Sequence, residues 1–213
     1  MAYAPTIVPP SVTPQIQKLC FGISGGTDPY YVDVLPTPDS RKNKCAYNAR
    51  DEAERKNGKV LFGWSIYSWP GVLVEFIGHA IVETPEQKYC VTPSAYGEKK
   101  VLFLPDSSIE FDFTSSDARL PSKSFSVSRH KFVSELIHVQ EESKAIRNQY
   151  PVTSGQIAVT GENAIKLKRL QEREHMLSQH VIYLHHPPKD KCPCGSGRQF
   201  RKCCKPHMQR VFA

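Results

Sequence analysis

The chain has 213 residues, 39% hydrophobic and 10% aromatic, with a formal net charge of +7. This is enough for one sizeable core plus a small appendage, and the composition excludes a disordered or low-complexity chain. No apolar run approaches membrane-spanning length, so a transmembrane helix is excluded as well.

Residues 1–14 carry Pro5, Pro9, Pro10 and Pro14, with neither a charged leader nor an apolar core of signal-peptide type. They read as an extended arm on a cytoplasmic protein. Gln15 to Ile23 is a short apolar segment, broken by Gly25-Gly26, whose type the pattern leaves open. Tyr30 to Leu35 alternates as a strand does. Strong helix formers from Cys45 to Asn57 predict a helix, with Gly58 as its stop. Strands are expected over 59–69, 71–83, 88–93, 101–104 and 109–113, where β-branched and aromatic residues lie between Gly and Pro breaks. The pattern is α+β, a helix plus an antiparallel sheet forming a body over 15–125. Residues 117–128 are Ser-rich and read as a connector. Two helices are expected next, over 129–149 (stripe Phe132, Leu136, Val139) and 162–182 (Ile165, Leu167, Leu170, Met176). They make a helical region over 126–184. His185-His186-Pro187-Pro188 then hinges to a small module over 185–213.

The body holds one constellation suited to chemistry. Cys45 opens a predicted helix, whose exposed amides, with Lys42 and Lys44, would lower the thiol's pKa. His79 lies in the predicted strand Phe76-Ile77-Gly78-His79-Ala80-Ile81-Val82-Glu83, where an imidazole could take the thiol's proton. Cys90 or Thr92, on the next strand, would orient that imidazole. The order helix-Cys, strand-His, next-strand polar resembles the papain-like superfamily, in particular its transglutaminase-like branch. That resemblance implies a nucleophilic Cys45, a base in His79 and a third position at Cys90 or Thr92. Cys90 stands where the family pattern has Asp. The bland alternative is a Cys packed inertly and a His satisfied in the core. Another reading pairs Glu75 with His79 on one strand face, lined by Trp64 or Trp69, as a ligand pocket or metal site.

Four of the seven cysteines fall in Lys191-Cys192-Pro193-Cys194-Gly195-Ser196-Gly197-Arg198-Gln199-Phe200-Arg201-Lys202-Cys203-Cys204. A Cys-x-Cys and a Cys-Cys at this spacing can close a tetrahedral Zn2+ site. Gly195 and Gly197 permit the positive φ that turns amides toward sulfur. Arg198, Arg201 and Lys202 offset the negative charge of a tetrathiolate centre. With only Phe200 as a large apolar residue, the segment would draw most of its folding energy from the metal. The alternative is a disulfide pair or free thiols, for which adjacent Cys203 and Cys204 would need different partners. Cys192, Cys194, Gly195, Ser196, Gly197, Phe200, Lys202, Cys203 and Cys204 resemble the SEC-C motif, the zinc-binding tail of the preprotein translocase motor. The resemblance implies docking, to a chaperone, the ribosome or acidic lipid. His185 and His186 could support the site, and His207 could replace a Cys.

The charge is confined to this end. Residues 165–213 hold 11 Lys/Arg against 3 Asp/Glu, a net of +8, while the first 164 hold 17 against 18, a net of −1. A basic tail attracts a polyanion such as RNA, the ribosome, acidic lipid or an acidic protein face. Its bland reading is a solvated helix face plus counter-charge for the thiolates. Two functions are therefore expected. The first is a zinc-binding protein whose tail docks the body onto a macromolecular partner. The second is a Cys-dependent hydrolase or acyl transferase built on Cys45, His79 and Thr92. A body with no chemistry, acting purely by binding, is a third.

Overall fold

A computed structural model of the protein describes residues 6–94, 97–115, 117–153 and 156–212. It is α+β, as expected, and divides into two compact units. One comprises residues 7–68 and 74–124; the other comprises Thr6, residues 69–73 and 125–213.

The first unit is a barrel. It contains α1 (Pro14–Ser24), β1 (Tyr30–Val34), α2 (Cys45–Lys56), β2 (Lys59–Trp69), β3 (Leu73–Glu83), β4 (Lys88–Cys90), β5 (Lys100–Pro105) and β6 (Ser122–Ser126), the ends of β2, β3 and β6 falling in the other unit. The apolar segment of open type is the helix α1. Thr13 caps it by accepting from the Ile16 amide, Pro14 occupies its first turn, and Gly25 closes it in the left-handed region at φ 69°. The arm is tied down at Ile7, which bridges Ser68. The strand order β2-β5-β1-β4-β3-β6, with a further β2–β3 pairing, closes a ring of five strands and leaves β6 outside it on β3.

The sheet is not wholly antiparallel, as the sequence pattern suggests. β1 pairs with β4 in parallel, Asp33 opposite Tyr89 and Val34 opposite Cys90. Closure is the reason. Directions cannot alternate all the way round a ring with an odd number of strands, so one like-directed pair must remain.

Side chains divide along β3 and β4 by the strand's two-residue period. Ala80, Val82, Tyr89 and Val91 pack against Ala46, Ala49 and Ala53 of α2, whose small side chains let helix and sheet approach closely. The alternate residues Ile81 and Cys90 pack with Val32, Val101 and Phe103. The stop of α2 is Asn57 rather than Gly58; Asn57 holds the left-handed conformation at φ 53°. β3 begins at Leu73, because residues 70–72 form the hairpin turn, with Gly71 at φ 73°. Gly78 is required by close approach, since a Cβ there would lie 2.7 Å from the Pro121 carbonyl oxygen of the segment leading into β6.

Three further expectations are corrected. Residues 109–113 form no strand. Asp106 and Asp112 accept from the amides of Ser108 and Thr114, turning the chain at both ends, while Phe111 and Phe113 pack edge-on against Tyr47. β4 stops at Cys90 instead of reaching residue 93: Asn48 of α2 draws Thr92 aside, and Pro93 has no amide to offer a ladder. The Ser-rich connector over 117–128 contains β6.

The second unit is helical. α3 (Lys131–Arg147) and α4 (Gly161–His185) flank the short hairpin β7 (Val152–Thr153) and β8 (Gln156–Ile157), and α5 (Lys205–Phe212) ends the unit. Its core joins Val133, Leu136 and Val139 of α3 to Leu167, Leu170, Leu177 and Val181 of α4. The α4 stripe is therefore displaced from the expected one, and Ile165 and Met176 are 59% and 64% exposed. Lys166 pairs with Glu142 at 3.2 Å, and Arg173 pairs with Glu135, between the two helices. Among the described residues, no helix is long and apolar enough to cross a membrane.

Candidate metal centre and thiol site

The sulfurs of Cys192, Cys194, Cys203 and Cys204 lie within 4.8 Å of one another, a group able to hold a metal ion. Backbone turns gather them. The Cys192 amide donates to the Arg198 carbonyl at 2.7 Å, and Lys191 bridges Gln199, so the chain folds back beside the Cys-x-Cys segment just before the Cys-Cys pair. Gly195 and Gly197 take φ of 81° and 73°, as the sequence requires. Residues Phe200–Lys202 form a 3-10 turn that delivers Cys203 and Cys204 to the start of α5. All seven cysteines are free. The Cys194 and Cys203 sulfurs stand 3.5 Å apart, well beyond a disulfide bond.

The surroundings favour thiolate. The Ser196 hydroxyl and the Arg198 guanidinium lie 3.2 and 3.3 Å from the Cys203 sulfur. Hydrogen bonds from the Ser196 hydroxyl and amide, with those of neighbouring cysteines, bring Cys194 down to about 6. Burial, and then the neighbouring thiols, push Cys204 up. The segment does not rest on metal alone. Phe200 and Met208 are fully buried, and with Cys192 they belong to the same apolar cluster as Leu136 and Val181. His186 supports the first turn: its Nε2 lies 3.0 Å from the Lys191 carbonyl, and its ring meets Phe200 edge-on at 5.0 Å. His185 instead faces the Ser128 hydroxyl, and His207 is exposed and outside the sulfur group.

Residues 189–210, which carry the four cysteines, present a cationic rim. Lys189, Lys191, Arg198, Arg201, Lys202 and Arg210 are exposed, and Lys205 is half-buried. Among the described residues, none of these has a carboxylate within ion-pair distance. The contrast with Lys166 and Arg173, which do, lies within one unit.

In the barrel, Cys45 is the first residue of α2 and His79 lies on β3. Both retain some accessible surface yet are densely enclosed. Burial pushes the Cys45 thiol up, overriding backbone amides of Ala80, Ala46 and Cys45 that favour the thiolate. This corrects the expected lowering. Lys44 is engaged elsewhere, its Nζ 5.4 Å from the Tyr47 ring centre. Burial likewise holds His79 down to about 4 and lifts Cys90 to about 11. No hydrogen bond joins Cys45 to His79; the imidazole Nε2 instead lies 3.1 Å from the Cys90 sulfur. Thr92 meets the cluster through its carbonyl, 3.7 Å from that sulfur. Its hydroxyl accepts from Asn48 at 3.1 Å.

Asn48 went unnoticed in the sequence. It also donates to the Arg41 carbonyl at 2.8 Å and accepts from the Arg41 amide at 3.0 Å. The available signal was a poor helix former within a helix, one turn after Cys45. Glu75 shares β3 with His79, but Trp64 does not line their face: it packs edge-on against Phe76, which alternates with them, and its Nε1 donates to Asp106. Trp69 belongs to the helical core. A pocket of about 400 Å³, lined by Glu110, Phe111, Asp112, Ser115, Ala118 and Arg119, includes none of Cys45, His79 or Cys90.

Comparison with known proteins identifies one segment. Residues 189–206 match the family described as the SEC-C motif, which overlaps the four cysteines. No curated protein and no solved structure matches the chain.

Proposed function

We propose that Cys192, Cys194, Cys203 and Cys204 hold Zn2+, and that the cationic rim of the segment that carries them docks the protein onto a negatively charged macromolecular partner. An all-sulfur donor set at tetrahedral reach suits zinc, which tolerates any geometry and does no redox chemistry. Ligands that must remain reduced fit a cytoplasmic setting. The observation that carries the docking reading is the rim itself. Seven cations of residues 189–210, the segment that carries the four cysteines, have no carboxylate partner among the described residues, and the thiolates neutralise only part of them. Such a surface gains most from an external polyanion, whose counterions are released on contact.

The test uses the full chain with Lys189, Lys191, Arg201 and Lys202 changed to Glu, none of which touches sulfur. Binding is measured to structured RNA, ribosomes, an acidic peptide and acidic vesicles at two salt concentrations, with zinc content checked in parallel. The expected result is salt-sensitive binding to one of these, lost in the variant while zinc is retained. Equal binding by both proteins would sink the docking reading.

A second reading concerns the barrel, where Cys45 serves as nucleophile and His79 as base in thiol-dependent acyl transfer. The backbone amides around the Cys45 sulfur, which favour its thiolate, support it. It requires Cys45 to be alkylated faster than an ordinary buried thiol, and His79→Ala to slow it. If neither holds, the barrel acts by binding alone.

A further inference from the structure

The contacts of Cys90 determine more than its burial. Its sulfur meets the His79 Nε2 at 3.1 Å and the Thr92 carbonyl oxygen at 3.7 Å, and the other hydrogen-bonding groups acting on it, the amide and hydroxyl of Thr92, can only donate to a thiolate. A carbonyl can only accept, and a thiol has one proton to give. Once the Cys90 proton points at Thr92, the sulfur can only accept from His79. Nε2 must then carry the hydrogen. A neutral imidazole carries one, so Nδ1 is left with its lone pair.

We propose that Cys90 is a positioning residue that, through the Thr92 carbonyl, locks His79 in the Nε2–H tautomer and so leaves Nδ1 with a lone pair able to accept a proton. The acceptor role rests on the thiol-dependent reading above; the tautomer lock does not.

The surroundings hold this chain of contacts in place. Cys90 ends β4, where its carbonyl accepts from the Leu35 amide at 2.8 Å, and Val34 of β1 lies opposite it in register. Thr92 is held by the Asn48 amide, which is itself clamped at both ends of Arg41. The buried environment keeps both partners neutral, as the argument needs: His79 sits at about 4 and Cys90 at about 11. The opposite arrangement, Cys90 donating to Nε2, would leave the Thr92 carbonyl without the thiol and place the imidazole hydrogen on Nδ1. That tautomer could accept no proton there. The two arrangements therefore differ in one observable.

The experiment is nitrogen-15 NMR of histidine-labelled, full-length, zinc-loaded protein near neutral pH, with His79 assigned by its loss in His79→Gln. The expected spectrum shows Nε2 at a protonated-nitrogen shift and Nδ1 at an unprotonated one, unchanged down to about pH 5. Cys90→Ala is expected to move both shifts toward a tautomer mixture. Cys90→Ser, whose hydroxyl donates and accepts in the same places, is expected to restore them. An Nδ1–H tautomer in the native protein overturns the proposal, as do shifts unaltered by Cys90→Ala. If Cys90→Ala fails to fold, the native spectrum alone decides. Cys45 alkylation separates the two readings: about a tenfold fall in Cys90→Ala is expected if Nδ1 serves the thiol. A locked tautomer with an unreactive Cys45 would overturn the nucleophile and leave the lock standing.

Discussion

The two groups of cysteines in this chain live in opposite environments. In the helical unit, the Cys203 sulfur meets a hydroxyl and a guanidinium, and the Cys194 thiol is drawn down toward the neutral range. In the barrel, Cys90 packs among apolar side chains and Cys45 is densely enclosed, and burial pushes both thiols up. The same side chain is made ready for charge in one place and kept neutral in the other. Polar donors decide the first case and desolvation the second. A thiolate cluster suits a cation; a neutral thiol beside a neutral imidazole suits the placing of a proton.

The largest expected effect breaks the first group. Changing Cys203 and Cys204 together to Ser should abolish the proposed zinc binding, whose free energy in sites of this kind is on the order of 10 kcal/mol. Phe200 and Met208 share the helical core, so the loss should appear as a lower melting temperature of that unit by circular dichroism. An unchanged melt would mean that the apolar contacts suffice.

Acid probes the second group. His79 has a folded pKa of about 4 against the usual 6.5. The unfolded chain therefore takes up the proton first as pH falls. Stability is full above about pH 6.5 and declines down to about pH 4, by about 3 kcal/mol for a shift of this size. Urea unfolding followed by Trp64 fluorescence, in a Trp69→Phe background, measures it. His79→Gln should flatten the dependence.

A third measurement compares the groups directly. After chelation, Cys194 should be alkylated near neutral pH at least about a hundredfold faster than Cys90, because only the thiolate reacts. With zinc bound that advantage should vanish. Comparable rates after chelation would remove the contrast. The smallest effect concerns the support of the barrel site. Asn48→Ala leaves groups of Arg41 and Thr92 without their partner and should cost about 1–2 kcal/mol in thermal unfolding, with little change in zinc content.

The four metal-site cysteines were legible because their pattern is local: spacing, glycines and cations all lie within one short segment. The barrel cluster was legible only in kind. Cys45 and His79 could be named from their elements, but the choice of Cys90 over Thr92 depends on where β4 ends, and Asn48 sets that from another element. The pKa of Cys45 was misjudged because a helix N-terminus is visible in sequence and burial is not. Residues 109–113 carry strand-like composition, yet the carboxylates of Asp106 and Asp112 claim the nearby amides. The parallel β1–β4 pair was hidden because the parity of a closed ring belongs to the whole sheet.

That ring also has a history in time. Tyr30 lies opposite Phe103, and Val34 opposite Cys90, so β1 can satisfy neither edge until strands from far along the chain exist. The hairpin of β2 and β3 can form from neighbours, whereas closure must wait for the slow, long-range step. During synthesis β1 therefore leaves the ribosome with both edges open, and it remains a sticky strand until Pro105 has followed it out.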